Sequence, residues 1–136
     1  MCNSIPGTRR PKINYSMAEH NETGRLGEDL AATYLAENGY EILEQNWRYG
    51  KNEIDIVCLK GQFIVFVEVK TRSTAYFGHP EESVDKKKKS FMIRAADAYV
   101  RQKNMEQEVR YDIVSVLIDK HRHTIRHIED AFYPTL

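Results

Sequence analysis

Three charged residues sit in stretches that are otherwise apolar and strand-forming. They are Asp55 in EIDIV (53–57) and Glu68 and Lys70 in FVEVK (66–70). Alternate residues of a strand share a face, so Glu68 and Lys70 share one and Glu53 and Asp55 share another. Gly61 marks a short turn between the two segments, which predicts an antiparallel hairpin. If the polar faces of that hairpin coincide, Asp55, Glu68 and Lys70 converge. Charges at the ends of Val/Ile/Phe strands are costly unless they are paired or hold a metal. Two carboxylates and a backbone carbonyl suit Mg²⁺, which takes oxygen ligands near octahedral geometry and keeps several waters. A cation so held polarises a phosphate and acidifies its bound water, and a lysine beside it orients that water or neutralises developing charge. The corresponding chemistry is metal-assisted phosphodiester hydrolysis. The same residues also fit a plainer reading, a hairpin in which Lys70 is ion-paired to Glu68 or Asp55.

Other candidates flank this trio. Glu28 shares a helical-wheel sector with Gly24, Ala31, Ala32 and Leu35, so it lies at the margin of a packed face, whereas Asp29 points to solvent. Lys87, Arg94 and Arg101 recur every seven residues and form one helical stripe, able to track phosphates or simply to be solvated. Lys88 falls instead on the side of Phe91 and Ala95, toward the sheet. Asp112 in RYDIVSV either hydrogen-bonds near the site or marks the start of a strand. His121 and His123 lack a third ligand and read as surface residues. No P-loop, GxGxxG or Ser/His/Asp pattern is present.

The elements that must position these residues follow from periodicity. Gly27, Leu30, Ala31, Tyr34 and Leu35 fall on one arc, which predicts a helix over 22–38 with Gly39 as its C-cap. Strands are predicted over 40–47, 53–59 and 62–70, with a turn at 49–52. The third strand is apolar on both faces up to Glu68, so it should be central and covered on both sides. A loop over 71–83 leads to a second helix over 84–102, followed by strands at 110–118 and 124–128. The order α-β-β-β-α-β-β predicts an α/β fold with a mixed sheet and helices packed on it. Residues 1–20 show no periodicity and are expected to form a flexible tail, with residues 21–136 as one domain. Met17 offers a second translation start.

Composition narrows the function classes. Lys plus Arg and Asp plus Glu both number 20, so the formal net charge is zero, which excludes a binder working by bulk charge. Distribution is uneven: residues 21–70 carry nine acids against five bases, and residues 84–104 seven bases against two acids. An acidic centre beside a basic helix suits carboxylates for a cation and lysines for a phosphate backbone. No apolar run approaches the roughly 20 residues of a membrane span, and the basic N-terminus lacks the apolar stretch of a secretory signal. Cys2 and Cys58 form no framework, so a reduced, cytoplasmic protein is expected.

Taken together, GRLGEDLAATYLAENGYEILEQNWR (24–48), EIDIV (53–57), FVEVKTR (66–72) and RAADAY (94–99) resemble the YraN-like bacterial family. That family is placed among the PD-(D/E)XK nucleases and is similar to the archaeal Holliday-junction resolvases. The resemblance covers about residues 22–133. It implies a restriction-endonuclease-like core with Glu28, Asp55, Glu68 and Lys70 at the catalytic positions and Asp55, Glu68 and Glu28 toward the metal. Arg72 and Lys88 would have supporting roles. Ile54 stands where the superfamily motif has proline, and Asn52 where relatives usually have glycine. The implied activity is endonucleolytic cleavage of DNA, with structured or branched DNA as a candidate substrate. Mg²⁺ is the implied cofactor and Mn²⁺ its substitute. Nucleic-acid contacts are expected from Arg72, Lys87, Lys88, Arg94 and Arg101, and a homodimer is compatible with this reading. The alternative is a module that keeps the fold and binds nucleic acid without cutting it.

Overall fold

The computed structural model describes residues 15–73 and 84–134. Helix α1 (Tyr15–Glu37) leads into strands β1 (Glu41–Tyr49), β2 (Asn52–Lys60) and β3 (Phe63–Arg72). Helix α2 (Lys86–Lys103) then connects to β4 (Glu108–Asp119) and β5 (Arg122–Ile128). The order is the predicted one. Helix α1 starts at Tyr15, ahead of the expected start at Glu22, so residues 15–20 of the expected tail are helical. The added stretch, YSMAEHN, has no apolar stripe, but Met, Ala and Glu are good helix formers and propagate a helix nucleated by the packed turns that follow. Residues 1–14, and most of the expected loop over 71–83, lie outside the described residues.

The five strands form one sheet in the order β1-β2-β3-β4-β5. The first three make an antiparallel meander, β4 runs parallel to β3, and β5 returns antiparallel. A parallel neighbour requires a crossover, and α2 supplies it. Helix α1 covers one face of the sheet and α2 the other. On the α1 side Ala31 and Leu35 pack against Ile56, Val65, Val67 and Val114. On the α2 side Phe91, Met92, Ala95 and Tyr99 pack against Val57, Ile64, Phe66 and Ile113. Strand β3 is therefore buried on both faces, with Ile64, Val65, Phe66 and Val67 all at zero exposure. Each such side chain contributes about 1.5–3 kcal/mol of burial, which fixes β3 in place up to the point where Glu68 begins the polar end.

Both helices end as their sequences dictate. Gly39 adopts φ +88°, a left-handed conformation that glycine takes without strain, and Tyr40 N–H bonds back to the Leu35 carbonyl at 3.0 Å. Asp85 caps α2 through its carboxylate, which accepts from Lys88 N–H at 2.8 Å. Among the described residues no helix is long and apolar enough to cross a membrane.

Candidate active site

Glu68 is the first polar residue that β3 presents after its apolar run, and register places it beside Ile113 on the α2 side. It is only 6% exposed. Lys70, two residues on and on the same face, brings Nζ to 3.6 Å from Glu68 Oε2. Lys88 reaches over from α2 and brings its Nζ to 3.4 Å from Glu68 Oε1. That second contact has ion-pair distance without hydrogen-bond alignment, and Glu68 Oε1 is left buried with no hydrogen-bond donor.

Strand β2 departs from regular pairing just where it carries Asp55. Ile54 and Val57 both pack on the α2 side although they are three residues apart, and Ile56 packs on the α1 side. Strand β1 makes the same step. Glu44 accepts from Tyr99 Oη of α2 at 3.2 Å, and Trp47 also packs on the α2 side. Asn46, between them, takes a left-handed φ of +53°. The two strands are thus kinked together at Asn46 and Asp55, and the regular β2–β3 pairing stops at Ile56 and Val67. Where the ladder opens, the Asp55 carboxylate takes the place of a backbone acceptor: Val69 N–H donates to Asp55 Oδ2 at 2.7 Å. The expected convergence of Asp55 and Glu68 is the one alternation gives, since the β2–β3 register continued by one pair sets Asp55 opposite Glu68, and the kink adds the bond from Val69.

Burial raises the Asp55 carboxyl to about 8, with the negative charge of Glu68 adding to it. The Val69 N–H opposes that rise, Glu28 adds a smaller push, and Lys88 opposes it weakly. Among the described residues Asp55 has no ion-pair partner. Ion pairing therefore accounts for Glu68 with Lys70 and Lys88, as in the plainer hairpin reading, but leaves Asp55 unexplained. Glu68, Lys70, Lys87, Lys88, Asn52 and Phe91 line an open cleft of about 330 Å³.

Glu28 is half-buried on α1, and its Oε1 accepts from Asn46 Nδ2 at 2.9 Å. The kinked residue of β1 thus orients the helix carboxylate. Helix α1 comes this close because Gly27 has no side chain: a Cβ there would collide with the Thr71 side chain at the end of β3. We expect Gly27→Ala to cost up to about 2 kcal/mol net, the overpacking penalty of about 1–3 kcal/mol less a helix-propensity gain of about 1 kcal/mol. Thermal melting checks this, and Thr71→Ala in the same chain should restore most of the loss.

The predicted basic stripe divides. Lys87 lines the cleft, whereas Arg94 lines a separate groove and bonds Ser90 Oγ at 2.7 Å. Arg101 pairs with Asp97 at 3.0 Å and lies about 20 Å farther along the helix axis than Lys88, at 1.5 Å per residue. Arg72 sits at the end of β3 and donates to the Thr71 carbonyl at 3.3 Å. Asn46 was not singled out from sequence, since it carries no charge and no motif position marks it, and Asn52 was noted only as a departure from a family glycine.

Asp112 neither joins this site nor merely starts a strand. It has zero exposure and lies beside Val67 on the α1 side of the sheet. Arg110 Nε and Nη2 donate to its two oxygens at 2.9 and 2.8 Å, His127 Nε2 lies 2.7 Å away, and Asp130 N–H donates at 3.0 Å. Arg110 Nη2 also donates to Tyr40 Oη at 2.6 Å. His121 and His123 are exposed, as expected.

The sequence matches the model of the Uncharacterised protein family UPF0102 over residues 27–116. The chain belongs to this family. The match to UPF0102 spans the meander, α2 and most of β4, and so includes Glu28, Asp55, Glu68, Lys70 and Lys88. It agrees with the YraN-like resemblance of the motifs. A UPF0102 protein of Bacteroides thetaiotaomicron is 49% identical over 120 residues, covering 88% of this chain and 99% of the relative. A UPF0102 protein of Flavobacterium johnsoniae is 48% identical over 121 residues, covering 86% and 98%. One from Phocaeicola vulgatus is 46% identical over 120 residues, covering 88% and 99%.

Proposed function

We propose that this UPF0102 protein is a Mg²⁺-dependent endonuclease that hydrolyses phosphodiester bonds of DNA, with Mn²⁺ as an alternative cation. The observation that carries this reading is the buried, mutually repelling pair Asp55 and Glu68 beside a cleft walled by Lys70, Lys87 and Lys88. Two like charges held close in a poorly solvated place are destabilising unless something positive joins them. Asp55 and Glu68 would hold the cation, with Glu28 approaching from α1. Among the described residues no three His, Cys, Asp or Glu side chains lie close enough to form a ready-made metal cluster. A pair of carboxylates still suits Mg²⁺, which is commonly bound through one or two carboxylates, waters and substrate phosphate.

Bound there, the cation would neutralise phosphate charge and acidify a water. The chain's own residues divide the remaining work. Lys70 Nζ, fixed by Glu68, offers a donor to the attacking water or to the phosphate oxygens. Lys88 adds positive charge from the opposite wall. Lys87 and Arg72 contact the flanking backbone, and the apolar face of Phe91 limits water access. The direct test is Mn²⁺-supported cleavage across duplex, nicked, flap and four-way-junction DNA. Binding without cleavage of any of them would favour the non-catalytic module.

The cation site also gives a pH signature. The Asp55 carboxyl stands at about 8 in the fold against an ordinary 3.8. A raised folded value means the fold prefers the protonated form, so the Asp55 contribution to stability is fully present below the ordinary value and lost as pH rises toward 8. Metal-free protein should therefore lose stability across that window. Asp55→Asn should flatten the slope and raise the metal-free melting temperature at neutral pH. Protons and the cation compete for the same oxygens, so the Mg²⁺ shift in melting should grow with pH. It should reach about 2.7 kcal/mol at a hundredfold excess over Kd. An Asp55→Asn protein that keeps the wild-type slope and the wild-type Mg²⁺ shift would remove Asp55 from the site.

A further inference from the structure

The run Lys86–Lys89 serves two surfaces. Lys87 and Lys88 line the cleft beside Glu68, whereas Lys86 and Lys89 line a second groove of about 690 Å³ between α2 and the C-terminal segment. Arg94 adds a third cation to this groove, and among the described residues no carboxylate lines it. Its far wall is held rigidly: Ala131 N–H donates to the Tyr111 carbonyl at 2.7 Å, and Phe132 stacks on Tyr111 at 5.0 Å between centroids. Lys89 Nζ sits over the Phe132 ring at 5.6 Å, so that ring is already used. Tyr133 is different. It follows directly on this fixed base, yet is 66% exposed.

A groove with three cations, no acid and one exposed ring on a rigid support is complementary to a polyanion that carries flat aromatic groups. We propose that it binds single-stranded DNA, with phosphates at Lys86, Lys89 and Arg94 and a base stacked on Tyr133. Duplex DNA would offer the phosphates, but its bases are stacked on one another and have no free face for Tyr133. The groove adjoins the cleft across the first turn of α2, so an unpaired strand held here emerges from a duplex at the cleft. This deepens the nuclease reading and rests on its choice of DNA, but it needs no metal.

An iodouracil-containing oligothymidylate of about ten nucleotides, within the span such grooves cover, tests it in the presence of a chelator. Photocrosslinking should map to Tyr133. Tyr133→Ala should raise Kd roughly tenfold, as loss of one stacked base does, and Tyr133→Trp should bind at least as well as wild type. Lys86→Gln with Lys89→Gln should lower the salt slope by about 1.4, the share of two single-strand phosphates. Unchanged binding in Tyr133→Ala, or a crosslink away from the groove, overturns the proposal. So does sedimentation showing that the groove joins two copies, with Tyr133→Ala giving a monomer and wild type binding no oligonucleotide. Because no cation is present, metal-dependent cleavage reports separately on the nuclease reading. Cleavage with unaltered Tyr133→Ala binding sinks the groove alone, and groove binding with no cleavage under any cation sinks the nuclease alone.

Discussion

Glu68→Gln should abolish Mn²⁺-supported cleavage while the protein stays folded. The substitution keeps the shape of a side chain that is 6% exposed and removes the charge held between Lys70 and Lys88. On the proposed reading, both a carboxylate for the cation and the partner that fixes Lys70 are then lost. Lys70→Ala should behave differently. Asp55 and Glu68 remain, so the Mn²⁺ shift in melting survives, while cleavage falls by about 10²–10³-fold, the usual cost of losing one electrostatic group at a transition state. The pair of results separates holding the cation from using it. Cleavage by Glu68→Gln at the wild-type rate would place the chemistry elsewhere or in a contaminant. Equal loss of the thermal shift in both variants would make Lys70 a structural partner of the acid and nothing more.

The largest effect on stability is expected far from the cleft. Asp112→Ala should destabilise the fold by about 3–5 kcal/mol, because it leaves a buried guanidinium without its counter-charge. Arg110 makes two bonds to that carboxylate and one to Tyr40, and His127 loses its Nε2 partner while keeping Tyr34 at Nδ1. For a chain of this size the melting temperature should drop by more than about 10 °C. Removing both charges together, as Arg110→Met with Asp112→Leu, should cost much less than Asp112→Ala alone. Burial alone would raise the Asp112 carboxyl, but bonds from His127, Arg110 and the Asp130 N–H outweigh it and hold the group below its ordinary value. The sign is opposite to that of Asp55. Asp112 contributes its stability above the ordinary carboxylate value and loses it as pH falls through the lowered one. Chemical denaturation over pH resolves the two, since only the acid limb should vanish in the double variant. A small loss in Asp112→Ala would show that the network is solvated enough to rearrange.

The sequence made the element order legible because its periods are clean. Leu35 and Ala31 repeat at helical spacing, and IVFV at 64–67 could only be a strand covered twice. Glu68 and Lys70 were readable for the same reason, since a charge that interrupts such a run has few places to go. Asp55 was readable by alternation as well, but its bond from the Val69 N–H was not. The kink depends on Asn46 taking a left-handed backbone, and an asparagine in a strand gives no warning of that. The Arg110–Asp112–His127 network was equally hidden. Its members lie on two strands and bond across β4 and β5, so no window of local sequence contains it. Helical spacing groups Lys87 with Arg94 and sets Lys88 apart, whereas the structure places Lys87 with Lys88 on the cleft and Arg94 with Lys86 and Lys89 on a second groove, because a cleft wall spans more than one sector of about 100° of the helix.

The sheet leaves β1 and β5 as its two outer strands. An open outer strand offers unpaired backbone groups on which another chain can add a strand, and natural sheets suppress this with bulges and charge. Strand β1 has a register shift between Ile42 and Glu44 and a left-handed residue at Asn46, so its free side is not a straight row of donors and acceptors. Strand β5 carries Arg122, His123 and Arg126, all exposed. The kink beside Asp55 therefore has a second effect. It blunts the edge nearest the candidate site, so that side of the sheet offers a poor template for a strand added from another chain.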